Sequence, residues 1–333
     1  IFKLFSIFES ILRGMNLGYK RMGFRASIFV AIGFIKILAI KMGYGLIELA
    51  LIQVLNSLII SFVIYIIIKK HVPWFGFEKI NYKETKSFFK TSGWFMGWMS
   101  VQMVIINSDK VLLGYLAGPV FVTKYVITKY LSYSILSGFI NNIVHGALPG
   151  IGNLFGKKEY KKLSDIRQNI MVATLLFSVG LGFIILLFNH SFIGLWSKAD
   201  LFIGQKENLI ILVMVVQYIF IQNDSTIINT TLDIKSKTII GLFSAIISIL
   251  GVFVFIKIYN YGIMGLCLGL IVGRLIQSIS YPIIINKKIQ VDSKNNFLHF
   301  RSLIISISVL SLGYYLGNNI VLQKWTHLIF LSA

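Results

Sequence analysis

Residues 168–189 read QNIMVATLLFSVGLGFIILLFN, a run of 22 residues without a single Asp, Glu, Lys or Arg. A helix needs about 20 mostly apolar residues to cross the hydrocarbon core of a bilayer. A run of this length and composition therefore predicts one membrane-spanning helix. The same test can be applied outward along the chain in both directions.

Apolar runs of similar length recur on both sides of this first span. All of them are predicted to be helices, because lipid offers no partner for the open edge of a strand. Together they predict about ten membrane crossings. The full spans are placed at 23–43, 45–69, 88–109, 120–147, 168–189, 207–231, 236–258, 261–286 and 301–320, with partial spans at 1–13 and from about 325.

The overall composition excludes a soluble domain. Hydrophobic residues make up 56% of the chain and charged residues only 13%, with a mean hydropathy of +0.80. Soluble domains carry roughly 25% charged residues. The single cysteine, Cys267, cannot form a disulfide within the chain and is expected to be a packing residue.

The net charge of +20 is explained by the loops between the spans rather than by nucleic acid. Of the 32 Lys and Arg residues, 21 fall in one set of alternate gaps or within three residues of their ends. Cytoplasmic loops of membrane proteins collect Lys and Arg, so this bias predicts the orientation. The gaps at 70–87, 148–167 and 287–300 are predicted to be cytoplasmic.

The gap at 70–87 also suggests a division of the chain. We interpret 1–69 as the remnant of an N-terminal helix bundle, 70–87 as a cytoplasmic linker, and 88–333 as a C-terminal bundle with trailing helices. The chain starts at Ile1 and stops at Ala333 within apolar runs. We therefore expect a piece of a longer protein, truncated at both ends.

Polar residues inside spans are costly, and they are typical of cavities or of pairing between helices. Tyr125, Lys129 and Tyr133 recur at spacings that place them on one helical face. In the preceding span, Gln102 and Asp109 share a stripe with two tryptophans. The candidate cavity-lining residues are Arg274, Lys129, Lys36, Tyr125, Tyr133, Gln102, Asp109 and Asp224.

The alternative for these residues is structural. Asp109 could pair with Lys124 between helices, and the tryptophans could form an interfacial belt. The excess of basic groups favours an anionic passenger, because Lys and Arg match phosphate. Tyr and Trp offer an apolar face to a sugar ring and a polar handle.

No constellation for catalysis or metal binding is found in the sequence. The five histidines are scattered without metal-ligand spacing, and no phosphate-cradling GxxxxGK[ST] motif occurs. We therefore expect a protein that is not an enzyme, with no catalytic residues, metal or cofactor.

Three stretches resemble a known family when they are taken together. They are Ser108-Asp-Lys-Val-Leu-Leu-Gly-Tyr-Leu-Ala-Gly118 followed by Val122-Thr-Lys-Tyr125 and Lys129, then Ala147-Leu-Pro-Gly150 with Gly156-Lys-Lys-Glu-Tyr160, and Tyr261-Gly-Ile-Met-Gly265. Their order and spacing resemble the polysaccharide flippases of the multidrug/oligosaccharidyl-lipid/polysaccharide exporter superfamily. The resemblance covers nearly the whole chain.

The resemblance implies two helix bundles in a V around a central cavity that opens alternately to each side. It implies a lipid-linked oligosaccharide as cargo, bilayer lipids as surroundings, no nucleic acid, and a place in the cytoplasmic membrane. The cargo's pyrophosphate would be held by cations such as Arg274, Lys129 and Lys36.

Other functions stay open at this point. A multidrug antiporter of the same superfamily would need a coupling cation and acidic coupling residues. A lipid II flippase would differ only in cargo. A membrane-embedded sugar polymerase is disfavoured, because the longest gap is only about 20 residues and leaves no large extramembrane loop.

Overall fold

Backbone polar groups in lipid have to find partners within the chain, and helices satisfy that need locally. The computed structural model describes residues 8–12, 14, 15, 17–76, 81–289, 300–322 and 324–327. Across these ranges the regular secondary structure is entirely helical. The chain divides into two compact units, Ile1–Tyr82 and Lys83–Ala333.

The first unit contains two long helices after a short helical stretch at residues 8–12. They are α1 (Tyr19–Lys41) and α2 (Leu46–His71). The connecting loop turns at Gly43, whose φ of +81° favours glycine. The outer surface of this unit is apolar, with Leu46 85% and Ile47 75% exposed. Side chains that face lipid are expected to be apolar in this way.

Within its described residues, the second unit contains seven long helices around an apolar core that is larger than that of the first unit. Its connections are short, such as the turn at Gly118, whose φ of +102° separates two helices. The helices are α3 (Tyr82–Leu116), which starts at the unit boundary, α4 (Pro119–Gly156), α5 (Tyr160–Trp196), α6 (Gln205–Thr231), α7 (Ile234–Phe253), α8 (Gly262–Ile289) and α9 (Phe300–Gly317). Residues 254–258 continue α7 as one turn of π-helix.

Each of the nine predicted full spans falls on one of these nine helices. Six of the helices in the described part are long and apolar enough to cross a membrane. They are α1, α2, α5, α6, α7 with its π-helical turn, and α8. The protein is therefore an all-α, multi-pass membrane protein.

Most predicted spans are shorter than the helices that contain them. The run at 168–189 lies within α5, which begins eight residues earlier at Tyr160. The predicted linker at 70–87 is shortened from both sides, since α2 ends at His71 and α3 begins at Tyr82. Residues 77–80 of that linker, most of the partial span at 1–13, and most of the one from about 325 lie outside the described residues.

Glycines bring α7 and α8 into direct backbone contact. A Cβ atom added to Gly269 would lie 2.6 Å from the Cα of Val252, and one added to Gly273 would collide with Ser248. Small residues spaced four apart let helices approach closely in membranes, where packing rather than hydrophobic burial holds helices together. This contact fixes the position of Arg274, the residue after Gly273.

Candidate functional site

Asp109 and Lys129 form an ion pair between α3 and α4. The Lys129 Nζ lies 2.5 Å from Asp109 Oδ2, and the Tyr125 hydroxyl donates to the same oxygen at 2.8 Å. Asp109 and Tyr125 are fully buried, whereas 14% of the Lys129 side chain is exposed. The carboxylate is therefore enclosed by the protein, whereas the lysine that covers it is partly accessible.

Aromatic rings enclose the lysine. Its Nζ lies 5.1 Å from the centre of the Tyr125 ring and 5.3 Å from that of Tyr133. Such distances allow a favourable interaction between the ammonium and the ring faces. The spacing along α4 that predicted one shared face for these three residues therefore corresponds to real contacts.

Arg274 approaches the same place from α8. Its guanidinium carbon lies 5.2 Å from the centre of the Tyr218 ring, and Nη2 donates to the backbone oxygen of Ile105 at 3.1 Å. The Nε of Arg274 is buried and has no hydrogen-bond partner among the described residues. Within the same ranges no carboxylate forms an ion pair with this guanidinium.

Tyr218 on α6 contacts Arg274 directly and approaches Lys129 through the ring of Tyr133. Its ring centre lies 6.4 Å from that of Tyr133. Its hydroxyl accepts a hydrogen bond from Gln222, and Gln102 also makes a side-chain hydrogen bond with it. Four helices, α3, α4, α6 and α8, thus contribute to one polar and aromatic cluster.

A small pocket opens inside this cluster, and we call it the cationic pocket. Its volume is about 10 Å³, which leaves room for roughly one water molecule. Two cations and one carboxylate give it a net charge of +1. It is lined by Ile106, Lys129, Tyr133, Met214, Val215, Tyr218 and Arg274.

Six of the eight candidate residues therefore belong to one cluster. Lys129, Tyr133 and Arg274 line the pocket, Tyr125 and Asp109 lie beneath it, and Gln102 hydrogen-bonds its wall. The alternative pairing of Asp109 with Lys124 is wrong. Lys129, one helical turn after Tyr125 on the same face of α4, forms the pair between helices instead.

The other two candidates lie elsewhere. Asp224 accepts two hydrogen bonds from Arg167, at 2.7 Å and 2.9 Å, in a buried pair that joins α5 and α6. This pair lines a mostly apolar cavity of about 240 Å³ together with Gln277 and Ser278. Lys36 belongs to the first unit, where its Nζ donates to Gln53 Oε1 at 2.6 Å.

Two buried cations escaped the sequence reasoning, which had counted Arg167 and Lys237 among the 21 basic residues of the alternate gaps and their ends. Arg167 is 1% exposed and Lys237 is fully buried. A signal was present, because each lies at helical spacing from buried neighbours. Arg167 follows Leu163 by four residues, and Lys237 follows Ile234 by three.

Lys237 is held without a carboxylate partner among the described residues. Its Nζ donates to the backbone oxygen of Ser225 at 2.9 Å and to Asn229 Oδ1 at 2.7 Å. The Trp98 ring centre lies 4.1 Å from the same nitrogen. Neutral oxygens and an aromatic face thus replace the water around this ammonium.

No group of three or more His, Cys, Asp or Glu side chains in the described ranges is placed to hold a metal ion. The chain matches no protein-family model, no curated protein and no solved structure. The chemistry of the cationic pocket is therefore the main guide to function.

Proposed function

We propose that this protein is a flippase that moves a lipid-linked oligosaccharide across the cytoplasmic membrane by alternating access. The observation that carries the proposal is the cationic pocket, where Lys129 lies against the ring of Tyr133 and Arg274 against that of Tyr218. Cationic side chains suit the phosphates of such a lipid. The tyrosines suit its sugars, since they combine an apolar face with a hydrogen-bonding hydroxyl.

The size of the pocket requires movement. A space for about one water molecule cannot hold a sugar headgroup. Helices α3, α4, α6 and α8 would have to separate for cargo to enter. Alternating access supplies such a movement, because transporters rock or open helix bundles around a site near the middle of the membrane.

The proposal extends to the architecture. About ten crossings in two bundles would include α3 and α4, which are not among the six clearly apolar helices. Their polar stripes supply Lys129 and Tyr133 to the lining of the cationic pocket and Asp109 beneath it. A helix that lines a water-filled cavity is expected to be more polar than one surrounded by lipid.

A cation-coupled multidrug antiporter is the second candidate. The observation in its favour is Asp109, a fully buried carboxylate next to the pocket. Its Oδ2 already binds Lys129 and Tyr125, so an organic cation would have to displace an ammonium that is tethered to the chain. A sugar polymerase would require clustered catalytic carboxylates, and the described residues contain no such cluster.

Transfer assays with the purified protein in liposomes test the proposal. A labelled undecaprenyl-pyrophosphate sugar should cross at a rate well above that of protein-free vesicles. Arg274→Gln and Lys129→Gln should each lower the rate at least tenfold, whereas Lys288→Gln, a change at a partly exposed lysine, should not. Absence of transfer by the unmodified protein would refute the flippase. Ion-driven efflux of a cationic dye would favour the antiporter.

A further inference from the structure

The cationic pocket contains more hydrogen-bond donors than acceptors. Arg274 presents an unpartnered Nε, and Lys129 has three N–H groups of which the ion pair uses one. The Tyr218 hydroxyl already forms hydrogen bonds with Gln222 and Gln102. Tyr133 adds a second hydroxyl to the lining.

The nearest acceptors are already engaged. Asp109 Oδ2 accepts from Lys129 and Tyr125, and Oδ1 accepts from the backbone N–H of Lys110 at 2.8 Å. The rest of the described lining consists of Ile106, Met214 and Val215, whose side chains offer no strong acceptor. The side chains that face the pocket thus supply donors and a net charge of +1.

A water molecule is a poor match for this environment. It fits the volume, but the phenolic oxygens are the only strong side-chain acceptors that the described lining offers its two hydrogens, and it accepts only about two hydrogen bonds. A monoatomic anion of similar size accepts from every direction. It also neutralises the excess charge, and an uncompensated buried charge costs several kcal/mol.

We propose that the cationic pocket is a chloride site, with the anion held by Arg274, Lys129 and the hydroxyl of Tyr133, and with the ring of Tyr218 forming one wall. In this state chloride holds α4 and α8 together around the closed pocket. A phosphate group of the cargo would then have to displace it, a second step that rests on the proposed flippase function.

Thermal unfolding of the purified protein in detergent tests the site. At constant ionic strength, replacing potassium gluconate by potassium chloride should raise the melting temperature in a saturable way, by several degrees. Gluconate is too large for the pocket, and iodide should act more weakly than chloride. A melting temperature that does not respond to chloride would overturn the proposal.

Single substitutions test whether the chloride response arises in the cationic pocket. Tyr133→Phe removes one hydroxyl and should weaken the chloride response several-fold, and Arg274→Gln should abolish it. Lys288→Gln, which changes a lysine paired with Asp233 elsewhere in the unit, should leave it unchanged. If Arg274→Gln fails to fold, equilibrium dialysis of radioactive chloride with the unmodified protein and Tyr133→Phe decides. Equal affinities in those two would also contradict the site.

The two proposals can fail separately. Saturable chloride binding without transfer of a lipid-linked sugar would support the site and refute the flippase. Transfer without chloride binding would do the reverse. Added inorganic pyrophosphate should release bound chloride from the unmodified protein, and simultaneous binding of both would exclude the displacement step.

Discussion

The ion pair of Asp109 and Lys129 offers the clearest test of how individual buried charges stabilise this protein. Asp109→Asn leaves the Lys129 ammonium without its counter-charge in a largely buried place. Removal of one partner of a buried pair costs about 3–5 kcal/mol. We expect a loss of this size in the free energy of unfolding, measured by thermal or denaturant unfolding in detergent.

A double-mutant cycle separates the pair from its surroundings. The Asp109→Asn, Lys129→Met double variant should lose less stability than the two single changes added together. The difference should be about 0.5–3 kcal/mol, since residues in direct contact are coupled. Strict additivity would mean that the two side chains do not stabilise each other.

At the residue scale the sequence could predict faces but not partners. Helical spacing placed Tyr125, Lys129 and Tyr133 together, because one helix fixes their relative positions. The partner of Asp109 depends on how α3 and α4 are rotated against each other, and spacing along one helix carries no such information. The pair of Arg167 and Asp224, 57 residues apart, was out of reach for the same reason.

At the scale of elements, the contact of α7 and α8 depends on the absence of one Cβ atom. Gly269→Ala would place a methyl group against the backbone of Val252. Overpacking of this kind costs about 1–3 kcal/mol, and here backbone atoms rather than a flexible side chain have to move. We expect a lower melting temperature. We also expect a loss of the chloride-dependent rise in melting temperature, because that rise depends on the position of Arg274.

The matched control is Gly152 in α4, where an added Cβ meets nothing within 4 Å. Gly152→Ala should stabilise the protein by about 0.5–1 kcal/mol, because alanine loses less backbone entropy in a helix. If both substitutions had the same effect, close approach of α7 and α8 would not explain Gly269.

The N-terminus of α7 predicts a dependence of stability on pH. Partial burial tends to raise the pKa of Asp233, but hydrogen bonds from Ser236 and the nearby charge of Lys288 outweigh it and lower this pKa. A lowered carboxyl pKa stabilises the fold above the pKa of the unfolded chain, about 3.9, and this stabilisation is lost as the pH falls through the folded value.

Asp233→Ala should therefore cost about 1 kcal/mol near pH 7, the typical value of a helix cap. The difference from the unmodified protein should shrink below about pH 4. Asp233→Asn retains a capping oxygen without the charge, so its difference should be smaller and should depend less on pH. A cost of Asp233→Ala that grew on acidification would contradict the assignment.

The elements themselves were easier to predict than the site. Hydropathy located the nine long helices of the described ranges because each contains an apolar run, and in six of them that run is long and apolar enough to cross a membrane. It missed their ends because a hydropathy window stops at the first charges, whereas the hydrogen-bonded backbone continues to a residue that breaks it. The end of α3 at Leu116 is set by the turn at Gly118 and not by its polarity.

At the scale of the whole molecule, the bias of Lys and Arg predicts which ends of the helices face the cytoplasm. Helix α5 provides a direct test because its 37 residues extend over about 55 Å, well beyond a hydrocarbon core of about 30 Å. Lys157 and Lys198 lie in the connections before and after it, and both are exposed. Their two positions should therefore be on opposite sides of the membrane.

Cysteine labelling measures this arrangement with little background, because the natural Cys267 is fully buried. An impermeant thiol reagent added to intact cells should modify Lys198→Cys but not Lys157→Cys, and inside-out vesicles should reverse the pattern. Labelling of both positions from one side would show that α5 does not cross the membrane. An inverted pattern would leave the crossing intact but refute the predicted orientation.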